Sequence, residues 1–477
     1  MTRGRWIVRG LLLFVLAFTN LNDIWSPDVL PNALFAWTVI RERNVDYDEF
    51  TVEGAPAPRP SARSGFLDRE AYFFRACGVS TATAPPKAVR SPGGPPAPGP
   101  RDHVCSVFPP GMAVLALPFF APFVLAGVFP DDLGLLIRVG HVAAAFFEVL
   151  ATLLLWSVLR RFTSARWSLV LVLLYFLATS VRTVSSQALW QHPGVHLAVA
   201  SALWLTLHED LVPLRRELLA GAALGLGAIV RQTTGLVALG LSGFRTGRLV
   251  VVLIGAGMAA APLLVYDDLA FGSALEQGYG VKPFDTPLST GLSGLLVSPS
   301  RGLFVYTPYL VFAFWALARA WRWPGEVARR LRSLSLVWLA TLLLYATYTE
   351  WWGGRVFGAR FLDDLAPILF AALGWGTGVG LLRSRRSRVV FAALAAWSLV
   401  IFNAAALVYD QSWDTARGIN FDPSPLFSWT DPQWLAVLAA LPAGGSRVIA
   451  AGLLSMLVVA LFLRLELRAL RPEGSAD

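Results

Sequence analysis

The chain has 477 residues, 55% of them hydrophobic and 15% charged, and its mean hydropathy is +0.57. A soluble protein of this length needs more polar surface, so the composition predicts an all-α polytopic membrane protein. The net charge of +9 would suit a nucleic-acid partner, but the arginines lie beside apolar segments, where membrane proteins place them. Nucleic-acid binding is therefore not expected.

The loops between the apolar segments alternate in charge. One set carries aspartates, Gln-His and Trp-Trp-Gly-Gly sequences with isolated arginines. The other set is rich in arginine: Arg160, Arg161, Arg215, Arg216, Arg245, Arg248, Arg329, Arg330, the stretch 383–388, Arg464, Arg468 and Arg471. Because arginine-rich loops stay in the cytoplasm, the alternation predicts cytoplasmic termini and places the polar groups of the other loops on the extracytoplasmic side of the membrane.

About twelve transmembrane helices are predicted in one membrane domain. The first, 6–22, has the features of a retained signal anchor. The remaining predicted spans are 135–159, 166–182, 193–208, 217–230, 232–244, 249–267, 303–321, 334–349, 361–382, 389–408 and 447–464. The pair 217–230 and 232–244 is short for a hydrocarbon core of roughly 30 Å, which suggests half-buried helices that meet at Arg231.

A long extracytoplasmic loop, 23–110, follows the first span. Residues 30–43 have the spacing of an amphipathic helix at the membrane interface, and residues 85–100 form a Pro/Gly-rich linker. Cys77 and Cys105, the two cysteines of the chain, both lie in this loop. Either a disulfide or two unrelated thiols fits the sequence.

The segment 111–129 is long enough to resemble a span, but it contains Pro118 and Pro122. If it crossed the membrane, every later arginine-rich loop would lie outside, against the positive-inside rule. The segment is therefore predicted to be re-entrant or juxtamembrane.

Acidic residues cluster just after the first span. They are Asp23, Asp28, Asp46, Asp48 and Glu49. A carboxylate at the membrane face can act as a general base toward an acceptor hydroxyl or amine. A solvated acidic loop is the alternative.

Several arginines depart from the positive-inside pattern: Arg138, Arg182, Arg231, Arg301, Arg355 and Arg360. A cation at the extracytoplasmic end of a helix needs an anionic partner, either a lipid phosphate or a carboxylate. A phosphate leaving group would be stabilised by such cations. Ion pairs with Asp267, Asp363 or Asp364 are the alternative.

Polar and aromatic groups also gather at one helix junction, where Gln187, Trp190, Gln191 and His192 suit a sugar or a lipid head group. His192 and His196 stand four residues apart, but no carboxylate motif accompanies them, so no metal site is predicted there. Trp351 and Trp352 fit either an interfacial aromatic belt or the wall of a ligand site.

These features together resemble the GT-C superfamily of polyprenyl-phosphate-dependent glycosyltransferases, with bacterial relatives of protein mannosyltransferases and aminoarabinose transferases nearest. The resemblance covers nearly the whole chain. It rests on an acidic residue after span one, the interfacial helix 31–43, the Pro-Pro segment 107–111 and Arg138 at the head of the next span. Short motifs add to it: 185–192, 231–233, 271–280, 296–303, the 351–361 stretch WWGGRVFGARF and 422–431.

The resemblance implies a GT-C-like fold and transfer of a sugar from a polyprenyl-phosphate donor to an extracytoplasmic lipid, glycan or protein. Asp28 takes the position of the catalytic base, with Asp23 as the alternative, although Val29 stands where the superfamily often has a second acidic residue. The implied donor-phosphate ligands are Arg231, Arg138, Arg301, Arg355 and Arg360. The implied substrate contacts are Gln187, Trp190, Gln191, His192, Tyr279, Trp351 and Trp352.

Two other functions stay open. A lipid or solute transporter also has about twelve spans, but it should carry ionisable residues mid-membrane on broken helices. A non-catalytic protein that keeps the fold is the third hypothesis. No cofactor is implied with certainty, and a divalent metal is left open.

Overall fold

A computed structural model describes residues 3–52, 66–78, 102–207, 212–280 and 283–469 of the chain. The predicted linker 85–100 lies outside these residues. The described part is mostly helical. Its helices are α1 Arg3–Phe18, α2 Leu30–Trp37, α3 Gly111–Leu125, α4 Leu133–Phe162, α5 Ala165–Leu177, α6 His192–Leu207, α7 Pro213–Val230, α8 Gly235–Leu241, α9 Thr246–Phe271, α10 Leu288–Val297, α11 Leu303–Tyr306, α12 Val311–Ala320, α13 Glu326–Thr347, α14 Arg360–Asp363, α15 Ala366–Gly378, α16 Arg385–Val408, α17 Ser412–Ala416, α18 Gln433–Ala440 and α19 Gly445–Ala469.

Two small sheets lie in the long loop after α1. Strand β1 (Thr51–Val52) pairs in parallel with β2 (Leu67–Asp68). Strand β3 (Phe74–Cys77) pairs antiparallel with β4 (His103–Ser106), with Arg75 opposite Cys105. The β3–β4 pair brings the two cysteines together, and Cys77 and Cys105 form a disulfide with a Cα–Cα distance of 5.6 Å.

Side-chain caps explain where several long helices begin. Asp132, Ser164 and Ser384 each accept a hydrogen bond from a backbone N–H in the first turn of α4, α5 and α16. Such caps satisfy N–H groups that have no partner inside the helix. At the other end of α9, Gly272 has φ +76°, the left-handed conformation that ends many helices.

Four stretches of the described chain are long and apolar enough to cross a membrane by themselves: Leu133–Phe162, Thr246–Phe271, Arg385–Val408 and Gln433–Arg468. The predicted count of twelve spans is not confirmed. The span 303–321 is interrupted around Pro308, and the span 361–382 is divided between α14 and α15. At 1.5 Å per residue, the 13 residues of α15 extend only about 20 Å.

Buried ion pairs define two ends of the helix assembly. The end that the arginine pattern predicts to face the cytoplasm is called the inner end, and the opposite one the outer end. At the inner end, the start of α1 meets the end of α19 through Arg9 and Glu466, with an N–O distance of 2.6 Å, and Glu217 of α7 binds Arg330 of α13. At the outer end, α7 finishes beside Arg231. Fourteen residues of helix separate Glu217 from Arg231, which places the two ends about 21 Å apart along α7.

Helix α2 differs from the predicted amphipathic interfacial helix 30–43. The α-helix covers only Leu30–Trp37 and continues as a wide turn over Thr38–Glu42. Every residue of α2 is buried, including the polar Asn32, which donates to the Leu189 carbonyl at 2.8 Å. Helix α2 therefore packs inside the protein and presents no polar face to solvent.

Candidate functional site

Asp28 lies in a short turn, Pro27–Val29, directly before α2. Its carboxylate is 11% exposed and accepts a hydrogen bond from the Trp190 indole N–H at 3.1 Å. The Ser26 hydroxyl also donates to it, and a guanidinium nitrogen of Arg360 lies 3.9 Å away. The carboxylate is thus held in one position at the outer end, with part of its surface still open.

His192 connects Arg360 to a second carboxylate. Arg360 Nε donates to His192 Nε2 at 3.0 Å, and His192 Nδ1 lies 2.7 Å from Asp364 Oδ1. Because an arginine nitrogen can only donate, Nε2 must accept, so the ring proton sits on Nδ1 and is donated to Asp364. A neutral His192 in this tautomer aligns Arg360 beside Asp28.

Arg231 joins the same cluster from the end of α7. It donates to Asp364 at 2.9 Å and to the Gln191 side chain at 2.9 Å. The Gln191 amide in turn donates to the Tyr279 hydroxyl at 3.2 Å. Of the predicted phosphate ligands, Arg231 is therefore already paired with a carboxylate, one of the alternatives that the sequence left open.

A neighbouring cluster centres on His196, which the sequence associated only with a metal pair. His196 Nδ1 lies 2.9 Å from Glu148, and its Nε2 donates to the Asp363 carbonyl at 2.9 Å. Tyr175 donates to the other oxygen of Glu148 at 3.0 Å. His192 and His196 thus face different carboxylates. Glu148 stands near the middle of the 30-residue α4 and is fully buried. Buried ionisable groups therefore also occur away from the outer end.

Arg355 differs from Arg231 because it has no carboxylate partner among the described residues. Its Nε is buried without a hydrogen-bond partner, and no ion pair of Arg355 occurs among the described residues. Desolvation of the Tyr72 hydroxyl and then the Asp28 charge raise the Tyr72 pKa, whereas the charges of Arg360 and Arg355 lower it, although 55% of the whole side chain is exposed. Arg355, Arg360 and Asp28 therefore all lie within electrostatic reach of this one hydroxyl.

Arg301 does not belong to this region. It is fully buried and donates to Asp414 at 2.7 Å, to Gln433 at 2.9 Å and to the Gly354 carbonyl at 3.0 Å. Tyr409 donates to the same Asp414 at 2.7 Å. Every direction around the guanidinium is filled by protein, so the predicted role of Arg301 as a phosphate ligand does not fit its surroundings.

Asp23 and Arg138 also lie apart from the cluster. Asp23 is exposed. The Arg138 side chain is 73% exposed, and the carboxylate nearest to it is that of Asp132, at 3.9 Å. The structure therefore distinguishes Asp28 from Asp23, which the sequence could not do, and gives Arg138 the environment of a surface side chain.

Three predicted substrate contacts are buried among protein groups. Gln187 is 2% exposed and ties the outer end of α1 to the chain before α6, accepting from Asn20 at 2.7 Å. Trp351 is packed so closely that a Cβ on Gly294 would lie 2.2 Å from its ring. Trp352 is 8% exposed. These three side chains are packed inside the fold.

The acidic residues of the loop form their own cluster. Ligand atoms of Asp46, Asp48 and His103 all lie within 4.8 Å of one another. Asp48 accepts from the Val104 N–H at 2.9 Å and raises the His103 pKa through a hydrogen bond. Burial raises the pKa of Glu49 to about 7. The cluster stabilises the turn between α2 and β1, and its exposed groups are typical of a loop surface.

Sequence reasoning missed the partners that complete these clusters. Glu148 was a detectable signal, since a glutamate in the middle of an apolar span is rare and usually functional or paired. The pairing of Arg301 with Asp414 had no local signal, because 113 residues separate the two.

No protein-family model and no curated protein sequence matches the chain. Among solved structures, the chain is similar to the crystal structure of ArnT from Cupriavidus metallidurans bound to undecaprenyl phosphate. The two are 14% identical, the match covers 96% of this chain and 78% of that chain, and the TM-score is 0.48.

Proposed function

We propose that this protein is a membrane glycosyltransferase of the GT-C type. It transfers a sugar from a polyprenyl-phosphate-linked donor to an extracytoplasmic acceptor. The observation that carries the proposal is the partly open Asp28 carboxylate, held by Trp190 at 3.1 Å beside Arg360 and Arg355. A positioned base next to cations is the combination that such a transfer needs.

In the proposed reaction, Asp28 acts on the acceptor, and Arg355 and Arg360 act on the leaving phosphate. Asp28 takes the proton of the acceptor hydroxyl or amine as that atom attacks the anomeric carbon of the donor sugar. The bond from the anomeric carbon to the phosphate oxygen breaks, and its electron pair leaves with the polyprenyl phosphate. Arg355 and Arg360 stabilise the negative charge that develops there. Attack opposite to the leaving group inverts the anomeric centre.

Arg355 contributes most of the donor affinity in this proposal. Arg231 and Arg301 are neutralised by Asp364 and Asp414, whereas Arg355 has no carboxylate partner in the part of the chain that is described. An uncompensated cation gains most from a phosphate, because no existing ion pair must be broken.

The experiment is turnover of reconstituted protein, measured as polyprenyl phosphate released from polyprenyl-phosphate-linked sugars in the presence of membrane acceptors. Asp28→Asn keeps the shape of the side chain and removes the base, so we expect a loss of about 10²–10⁴-fold. Asp23→Asn is the matched control and should keep full activity. Full activity of Asp28→Asn with an inactive Asp23→Asn would reverse the assignment, and no effect of either would contradict the mechanism.

Transport is the second candidate, because Glu148, near the middle of α4, is fully buried together with His196 of α6. Ionisable residues at such positions are typical of ion or proton pathways. Uptake of polyprenyl-linked or soluble sugars into protein-containing vesicles would favour it, particularly if Glu148→Gln stops uptake while Asp28→Asn does not.

A further inference from the structure

Arg182 is a buried cation without a counterion. It lies in the turn Val181–Ser185 after α5, and only 2% of its surface is exposed. Its guanidinium donates to Thr19 at 2.8 Å, to Ser455 at 2.5 Å and to the Asn403 side-chain oxygen. All three acceptors are neutral, and Arg182 has no ion pair within the described ranges.

The hydrogen-bonding capacity of Arg182 is also incomplete. Its Nε is buried and has no partner among the described residues. A buried charged donor without an acceptor costs more than a neutral one, because the group has lost its hydration without replacement. The other buried arginines of the helix assembly have carboxylates, such as Glu466 for Arg9 and Asp414 for Arg301. Arg182 therefore has no anionic partner among the described residues.

The side chains that cover Arg182 show where that anion can enter. Asn403 on α16 and Ser455 on α19 are both partly exposed. Next to them, Val400 is 54% and Met456 is 61% exposed on the apolar surface of the two helices. The guanidinium thus lies directly behind the seam between α16 and α19, which opens to the lipid phase.

Ser455 and Asn403 keep other hydrogen bonds if their contacts with Arg182 break. The Ser455 hydroxyl also donates to the Ala451 carbonyl at 2.7 Å, and the Asn403 amide donates to the carbonyls of Leu177 and Leu399 at 2.9 and 2.7 Å. Helix α19 is largely exposed along its length. A small displacement of α19 would admit an oxyanion to Arg182.

We propose that Arg182 forms a lipid-phosphate site that opens between α16 and α19. Its ligand is a lipid whose head group is a bare phosphate monoester. Ser455 stands ten residues from the start of α19 and Asn403 five residues from the end of α16, so the phosphate would lie about 8–15 Å along these helices from their outer ends. A head group without a bulky substituent is the one that fits at that depth. The site is independent of the transferase proposal and uses none of its groups.

The test is native mass spectrometry of the delipidated full-length protein titrated with dioleoyl phosphatidic acid. Dioleoylglycerol, which has the same chains without phosphate, is the control ligand. We expect Arg182→Gln to weaken phosphatidic acid binding by about 10- to 100-fold, the loss of one or two charge-assisted hydrogen bonds. Arg138→Gln removes an exposed arginine and should bind as the unmodified protein does.

A second variant keeps the proposal testable if Arg182→Gln does not fold. Ser455→Leu leaves Arg182 in place and fills the seam from its lipid side, so it should also weaken binding. Arg355→Gln should retain the site, which separates it from the proposed donor site. Polyprenyl phosphate titrated against Arg355→Gln, which lacks the proposed donor cation, identifies the natural source: tighter binding than phosphatidic acid to this variant indicates the polyprenyl lipid, and weaker binding indicates a glycerolipid. Unchanged phosphatidic acid binding in folded Arg182→Gln and Ser455→Leu, or equal binding of dioleoylglycerol, would overturn the proposal.

Discussion

At the scale of single residues, the buried arginines divide by whether the chain neutralises them. Arg231 and Arg301 each contact a carboxylate at 2.9 and 2.7 Å. Arg355 and Arg182 contact none in the described structure. Removing one member of a buried pair leaves the other charge uncompensated, whereas removing an unpaired cation does not. Replacing an arginine with glutamine should therefore lower the melting temperature where the arginine is paired, and leave it unchanged or raise it where the arginine is unpaired.

Arg301→Gln should destabilise the protein, since Asp414 remains fully buried without its cation. The expected loss is about 3–5 kcal/mol, measurable as a lower melting temperature in detergent. Arg355→Gln should leave the melting temperature unchanged or raise it, and it should weaken binding of a polyprenyl phosphate. A normal melting temperature for Arg301→Gln, or unaltered lipid binding for Arg355→Gln, would contradict this division.

His192 provides a second prediction at this scale, because its Nε2 accepts from Arg360 whereas its Nδ1 donates to Asp364. His192→Gln keeps an acceptor near the Nε2 position, where Arg360 donates at 3.0 Å. His192→Asn keeps a donor near the Nδ1 position, toward Asp364, and loses the acceptor. If His192 acts by aligning Arg360, the glutamine variant should retain more of the turnover number than the asparagine variant.

The comparison is informative only when both His192 variants fold, which their elution and melting temperatures would show. Since Arg360 is assigned to the leaving phosphate, the difference should appear in the turnover number more than in the Michaelis constant. Equal turnover of the two variants would mean that Arg360 does not depend on this acceptor.

At the scale of elements, the outer loop is connected to the helices by a small set of contacts. The disulfide joins β3 to β4 and packs against Ala270 near the end of α9. Beside it, Arg75 stacks on the Phe271 ring at 4.3 Å and donates to the Gln277 carbonyl at 2.7 Å. The chain that follows carries Tyr279 into the site, so the disulfide and the site are linked through this segment.

The double variant Cys77→Ala, Cys105→Ala should loosen the outer loop without unfolding the helices. Closing a loop of this length stabilises by roughly 3 kcal/mol in the chain-entropy description. Limited proteolysis should cleave the loop faster in the variant, while helix content stays unchanged. In protein from the native membrane, mass spectrometry without reduction should find the two cysteine peptides linked. Free, alkylatable thiols would contradict the disulfide.

At the scale of the whole molecule, buried ion pairs bring distant parts of the chain to the same end of the helix assembly. Arg9 near the start of α1 binds Glu466 near the end of α19, so these two helix ends lie together at the inner end. Helix α3 begins against the outer end of α7, where a Cβ on Gly111 would lie 2.5 Å from the Val230 nitrogen. It finishes shortly before α4, whose far end carries Arg160. Both ends of α3 therefore lie toward the outer end of the helix assembly. Which side of the membrane this end faces, and whether α3 crosses, stay predictions.

A reporter fused after Asp477 tests this topology. A reporter that is active only outside the cytoplasm should stay silent, and one that is active only inside should give signal. A reporter inserted after Asp422, in the loop between α17 and α18, is the matched control and should behave in the opposite way. Extracytoplasmic activity at Asp477 would mean that α3, or another segment, crosses the membrane after all.

The sequence alone determined those features that depend on short stretches of the chain. Apolar runs predict helices and the arginine pattern predicts their orientation, because each depends on neighbouring residues or on simple counting along the chain. The two cysteines in one loop left a disulfide and two unrelated thiols equally open. Lengths and breaks were less predictable, since the short α5 and α15 and the interrupted span 303–321 are stabilised by packing against other helices.

Only the tertiary structure decided which charged groups meet. Arg231 and Asp364 are 133 residues apart, and Arg9 and Glu466 are 457 apart, so nothing local distinguishes a paired arginine from an unpaired one. The same holds for Asp28 and Asp23: five residues separate two identical side chains, and only Asp28 meets Trp190 and Arg360. Ion pairing and burial depend on distance in space, and at these separations the folded arrangement of the helices alone determines that distance.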